Sequence, residues 1–426
     1  MIKKLQLAIL AIASASIIWN CDAFVVKDQL YQQEHSYHSF SPTTTSLHST
    51  TPREGSLEEA TQKLGSVPYG ETSRKYRRTV FRHNDWVEHR SSSSRILDNL
   101  QSIFFSGVVR QLRPQVTAVT TVAVFVFIWN YVIVSMIGLE DTTTATTATT
   151  AAATSGATAM IDNITNEWNL KLPLLTLPTL PFTLSSPALG LLLVFRTNAA
   201  YFRWMTSRDA WARMIVHAKN LIRMTNVFST DDEAVYELSK VVWLYCRSVM
   251  NKLSSPDEDE QVYMEQVTKV FQDSNKLSSS SIGDNVMTSS DRVTSAWKEM
   301  SIQLHSLPTS DPKALIETDK SIIILGECTS ICEKIYSSPV PLVYTRHTAR
   351  YLSVWALLLP CALYSSFSGM GEEWATVPAS AVISFFLFGV DELAMQLEEP
   401  FSILPMQVFC DDIYESNKVM VGKEDI

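Results

Sequence analysis

Pro187, Leu191 and Phe195 recur every four residues, so on an α-helix they share one face, and Arg196 follows directly. If several copies of such a helix surround an axis, that face becomes a stack of apolar rings. Rings of this kind gate by dewetting, and they oppose ions that hold water tightly more than large, loosely hydrated anions. The positive edge of the Phe195 ring can also meet an anion. Arg196 and Asn198, next along the helix, are the candidates for attracting anions to such a face. Other chemistries find no footing. The chain has no GxxxxGK[ST] phosphate loop, no GxGxxG strand-helix signature, no HExxH and no GxSxG. Its eight histidines, at 35, 38, 48, 83, 89, 217, 305 and 347, include no pair at metal-ligand spacing. No catalytic residue, metal ligand or cofactor is therefore expected. Asp391, Glu392, Glu398 and Glu399 could form an acid/base pair or a cation site, but they read as a solvated helix end that pairs with arginines. Six cysteines, at 21, 246, 328, 332, 361 and 410, are too scattered for a disulfide framework. Cys328 and Cys332 share a helix face and read as buried thiols.

The elements that must position these residues are those of a membrane protein. Of 426 residues, 46% are hydrophobic and 19% charged, below the roughly 25% of ordinary soluble domains. Net charge is -9 with a pI near 5.5, so no global field draws the chain to nucleic acid. The uncharged run 116–139 is long enough to cross a hydrocarbon core of about 30 Å. Runs 351–371 and 374–390 read as a helical hairpin turning at Glu372 and Glu373. The stretch 172–195 is uncharged too, but Pro173, Pro178, Pro181 and Pro187 argue against one continuous helix. The expectation is an irregular approach and a helix with Pro187 in its first turn, shielded by protein or lining a water-filled cavity. Four spans near 114–139, 186–206, 346–370 and 374–396 follow, in an all-α chain. Arginines cluster before the first span and after the second, which puts both termini on one side of the bilayer.

Between spans two and three, 207–340 reads as a helical domain outside the membrane. Helical periodicity runs over 233–253, 291–304 and 314–336, while 254–260 and 277–291, rich in Ser, Asp and Glu, read as loops. Residues 142–159 are a Thr/Ala spacer. Residues 1–23 look like a secretory signal, with Lys3 and Lys4 before an apolar run and small residues at the cut. The stretch 24–56 has a transit-like composition, and the two together resemble the leaders of plastids acquired by secondary endosymbiosis. Residues 416–426 form a tail.

Four motifs carry a family resemblance. Leu189-Gly190-Leu191-Leu192-Leu193-Val194-Phe195-Arg196-Thr197-Asn198, followed by Tyr201, Arg203-Trp204, Arg208 and Trp211, is similar to the second-span signature of bestrophin-type anion channels, above all their plastid thylakoid branch. Trp86, His89-Arg90-Ser91 and Arg95 match its pre-span segment. Pro341-Leu342-Val343-Tyr344-Thr345-Arg346-His347-Thr348 matches the opening of its third span, and Glu398-Glu399-Pro400-Phe401-Ser402-Ile403-Leu404-Pro405 its closing motif. The resemblance covers 74–415. It implies a four-span, all-helical channel domain with a stromal helical region, assembled as a homopentamer. The second span of each subunit would line the pore, with its neck at Pro187, Leu191 and Phe195. It further implies a lower constriction just after Asp311-Pro312, at Lys313, where a ring of ammonium groups would attract anions. The implied function is passive conduction of chloride, with bicarbonate a further candidate, across the thylakoid membrane, both termini being stromal. A non-conducting membrane scaffold is the alternative. The acidic calcium-binding run of the animal members is replaced here by Ser402-Ile403-Leu404-Pro405-Met406-Gln407, which lacks carboxylate ligands.

Overall fold

The computed structural model describes residues 78, 80–91, 107–133, 174–272, 277–308 and 311–422. The leader, the Thr/Ala spacer and the far end of the first span lie outside these residues. Every described element is helical: α1 (His83–Ser91), α2 (Gly107–Phe127, running into a π-helical stretch Ile128–Ile133), α3 (Leu180–Phe228), α4 (Asp232–Leu253), α5 (Pro256–Gln272), α6 (Leu277–Thr288), α7 (Arg292–Ser306), α8 (Pro312–Ser337), α9 (Leu342–Ser368), a 3₁₀ turn (Glu373–Ala375), α10 (Thr376–Glu398) and α11 (Met406–Met420). Four of them, Val109–Tyr131, Leu180–Phe228, Leu342–Ser368 and Glu373–Glu398, are long and apolar enough to cross a membrane. The fold is an all-helical, four-span one.

Contacts divide the chain into two compact units. The first takes Val108–Thr197 and Val343–Leu393, and so holds α2, the start of α3, α9 and most of α10. Ala123, Val126 and Phe127 of α2 pack there with Tyr364 and Val377, and Leu189 and Leu193 of α3 pack with Leu352 of α9. Asn130, buried in the π-helical stretch, accepts from the Leu175 N–H at 2.7 Å and donates to the Leu175 carbonyl at 3.0 Å. That bond pair fixes the extended approach to α3 against the first span.

The second unit takes Asn198–Leu342 and Ala394–Ile426, with the described residues of the N-terminal segment. Its core joins Trp211, Met214 and Leu221 of α3 to Val242, Tyr245, Met300, Leu325, Phe401 and Ile413. Helices α4, α7 and α8 arise where the periodicity predicts them. The two expected loops are instead helical in large part, as α5 and α6, and for α5 the reason is electrostatic. Pro256 opens it and Asp257, Glu258 and Asp259 occupy its first turn, where the helix dipole favours negative charge. Asp259 then turns inward and takes two hydrogen bonds, 2.7 and 2.8 Å, from the fully buried Arg247 guanidinium. Glu260 does the same with Arg292, at 2.7 and 2.8 Å, in a more exposed setting.

The Arg292 guanidinium donating to Glu260 holds that carboxyl below its ordinary value, and the Thr294 hydroxyl does so for the helix-capping Asp291. A carboxyl depressed on folding adds stability above its unfolded pKa and loses it as pH falls through the folded one. Glu260→Gln is therefore expected to lower the melting temperature at pH 7, by the equivalent of about 1 kcal/mol or less for so exposed a pair. The deficit should shrink as pH falls below the ordinary carboxylate value and vanish below the lowered folded-state one, where wild-type Glu260 itself protonates. Differential scanning fluorimetry of both proteins between pH 3 and 7 checks this, and a deficit independent of pH would contradict it.

Candidate functional site

The second membrane helix begins earlier than its prolines suggest. The Thr179 carbonyl caps it, accepting from the Phe182 and Thr183 N–H groups at 3.0 Å. Pro181 then falls in the first turn, where a missing N–H does no harm. Pro187 sits inside the helix, contrary to the expected first-turn position. Its absent N–H would have bonded the Thr183 carbonyl, and the Ser186 hydroxyl donates to that oxygen at 3.3 Å instead. The local serine chemistry explains why the helix runs unbroken for 49 residues.

This helix is two-faced. Leu184, Pro187, Leu191, Phe195, Asn198 and Phe202 are exposed and follow one another at steps of three or four, so they form one stripe along the helix. Leu191 and Phe195 each keep 55% of their surface uncovered. On the opposite side Leu189, Leu193, Arg196 and Ala200 are buried. The structure thus brings Pro187, Leu191 and Phe195 onto a common face, with Val194 beside them, a neighbour that counting every fourth residue misses.

Arg196 and Asn198, expected to act together, are separated. Arg196 points away from the stripe, is only 6% exposed, and forms an ion pair with Asp391 of α10. A guanidinium committed to a buried carboxylate leaves little field for a passing anion, which corrects its expected placement. The physical reason is desolvation: a charge this deep needs an opposite charge beside it. Asn198 remains on the stripe. Lys313 is exposed in the first turn of α8, where its backbone N–H donates to the capping Asp311 carboxylate at 2.9 Å.

The carboxylates expected at a solvated helix end are instead covered to a large extent. Glu392 is 6% exposed, and Glu398 accepts from the Val340 N–H at 3.1 Å. Arg203 donates to three helix-end carbonyls, Glu398 at 2.8 Å, Ser338 at 2.6 Å and Ile335 at 2.7 Å. These are orphan acceptors at the negative ends of α10 and α8, where a cation is favoured. The pairing with arginine was legible; the burial was not, because it depends on residues far apart in the chain, such as Val340, whose N–H reaches Glu398. Arg78 adds a bond from its Nε to the Ser402 carbonyl at 2.8 Å. This closing motif is a structural joint. Cys246, Cys328, Cys332 and Cys410 are free and buried, and burial pushes the Cys246 and Cys332 thiols up to about 12, so they carry no thiolate chemistry.

The chain as a whole is similar to known proteins in sequence and in fold. The chain is 28% identical over 365 residues to the chloroplastic voltage-dependent chloride channel 1 of Arabidopsis thaliana, covering 84% of this chain and 76% of that protein. It is 28% identical over 261 residues to a voltage-dependent anion channel-forming protein of Nostoc, covering 58% of this chain and 79% of that one. Its fold is similar to the crystal structure of a bacterial bestrophin homolog from Klebsiella pneumoniae, with a TM-score of 0.51 at 22% identity over 63% of this chain and 96% of the other. Residues 85–419 match the family model described as Bacterial/Fungal Bestrophin protein, and a match of that extent makes this chain a member of the bestrophin family.

Proposed function

We propose that the protein is a passive anion channel that conducts chloride, with bicarbonate as a second permeant ion, and that it performs no enzymatic step. The observation that carries this reading is the uncovered stripe of α3. Lipid would welcome Leu191 and Phe195, but it would not welcome Asn198 on the same line. A water-filled axis shared by identical subunits accommodates all of them. In a homopentamer the stripe would form a neck of Pro187, Leu191 and Phe195 rings, and Asn198 would offer its amide N–H groups to anions leaving it. Lys313 would form the lower constriction. The rings set the dehydration barrier, and no ionisable side chain on the neck face binds the ion so tightly that it cannot leave.

The plastid names of the Arabidopsis relatives and the two-part leader support a plastid address, with the thylakoid membrane as the destination and both termini stromal. There, chloride flux would adjust the electrical part of the proton-motive force and bicarbonate flux would supply lumenal carbon. The test is a planar-bilayer recording of the purified full-length protein, with chloride replaced stepwise by bicarbonate. Reversal potentials that follow the anion gradients are expected. A preparation silent in every salt would overturn the channel and favour a scaffold.

A further inference from the structure

Among the described residues the stripe of α3 stays uncovered, so contacts from behind it set where the neck residues stand. The hydrogen bonds to its outer turns come from one face of α9, while α10 holds Arg196 through Asp391. Tyr344, Tyr351 and Trp355 are spaced by seven and then four residues, which places them on one side of that helix. The Tyr344 hydroxyl donates to the Leu192 carbonyl at 3.2 Å. The Tyr351 hydroxyl donates to the Ser185 carbonyl at 3.0 Å, and the Trp355 indole N–H donates to the Ser185 hydroxyl at 3.1 Å. Further along, the Leu177 N–H donates to the Cys361 carbonyl at 3.2 Å. As α9 rises, its partners descend along the chain before and within α3, as two antiparallel segments held in fixed register require.

Ser185 takes two of these bonds and stands two residues before Pro187. This turn is the one whose regular ladder lacks a bond, because Pro187 has no N–H to give. Its groups are satisfied from elsewhere: Ser186 donates to Thr183, Ser185 donates to the Phe182 carbonyl at 3.4 Å, and Phe182 lies against the Trp355 ring with centroids 5.6 Å apart. The softest turn of the neck is therefore the one most heavily clamped.

We propose that Trp355 and Tyr351 are positioning residues which, through Ser185, set the width of the outer ring at Pro187 and so how steeply the pore discriminates among anions by size. This rests on the reading of the stripe as a pore neck. Neither residue faces the permeating ion; both act on the backbone that carries the ring.

The experiment compares wild type with Tyr351→Phe, Trp355→Phe, Ser185→Ala and the double variant Trp355→Phe/Ser185→Ala in bilayers. The readout is the permeability of thiocyanate relative to chloride, taken from reversal potentials. Tyr351→Phe keeps the ring and removes only the donor, and Ser185→Ala removes the acceptor of the Trp355 N–H with the indole intact, so folding should survive in both; Trp355→Phe also trims the indole that lies against Phe182. Each single variant is expected to shift the ratio by about threefold, the size of one interhelical hydrogen bond in a membrane. The double variant should shift it by less than the two single shifts combined, since both changes delete the Trp355–Ser185 bond. Leu304→Ala, in the core of the other unit, should lower the melting temperature and leave the ratio unchanged. Conducting variants that keep the wild-type ratio overturn the clamp while leaving the channel standing. A silent wild type overturns both.

Discussion

Asp391→Ala is expected to yield a protein that cannot be purified as a stable membrane assembly. The Arg196 side chain is 7% exposed and that of its partner Asp391 14%, so neither charge has water to fall back on. Deleting the carboxylate strands the guanidinium, whose Nε already lacks a partner. Breaking a buried pair from one side costs about 3–5 kcal/mol, comparable with the whole stability of many domains. The pair also joins α3 to α10 immediately behind Phe195, so its loss should free the inner end of the proposed neck. Thermal unfolding in detergent with size-exclusion chromatography checks the outcome. Arg196→Met/Asp391→Leu, which removes both charges and keeps the volume, should recover most of the lost stability. An Asp391→Ala protein that melts with wild type would show that the ion pair does not hold these two spans.

Phe195→Ala should have the opposite character, with a large effect on conduction and a small one on stability. Because Phe195 and Leu191 are 55% exposed, truncating them opens no closed cavity in the fold. If the stripe lines the pore, the same truncation widens an apolar constriction and makes it easier to wet. Unitary chloride conductance should rise several-fold in Phe195→Ala, and the preference for weakly hydrated anions should fall. Leu191→Thr should act in the same direction by making the ring both polar and smaller. Leu189→Ala supplies the contrast: Leu189 is 1% exposed on the opposite face, so its truncation should cost about 2–5 kcal/mol. Single-channel recordings paired with melting curves separate the two classes. Unchanged conductance and unchanged anion preference in Phe195→Ala would remove that side chain from the permeation path.

The parts of the fold legible in the sequence are those governed by local periodicity. The four apolar stretches were long enough to read as spans, although the second starts six residues before its first-turn assignment at 186. Helices α4, α7 and α8 follow from apolar spacing. Helices α5 and α6 hid in acidic and serine-rich stretches, because a run such as Asp257-Glu258-Asp259 looks solvated until its partners are known. Arg247 lies 12 residues before Asp259 and Arg292 lies 32 after Glu260, and nothing local announces either pairing. The clamp on Ser185 was missed for a similar reason. A spacing of seven and four on α9 is a visible signal of a shared face, but an aromatic face on an apolar helix points equally well to lipid or to packing.

By itself, the sequence determined that Pro187, Leu191 and Phe195 share a helix face, since a pitch of 3.6 residues admits no other arrangement once the segment is helical. It also determined the number of spans, through the lengths of the uncharged runs, and the absence of a calcium-ligating run after Pro400-Phe401. Tertiary structure decided which face stays uncovered and where Arg196 points. A further turn of about 100° past Phe195 carries Arg196 well away from the line of Leu191 and Asn198, so the two neighbours face different surroundings. Which of them faces inward depends on a carboxylate 195 residues away, brought alongside only when the second and fourth spans pack.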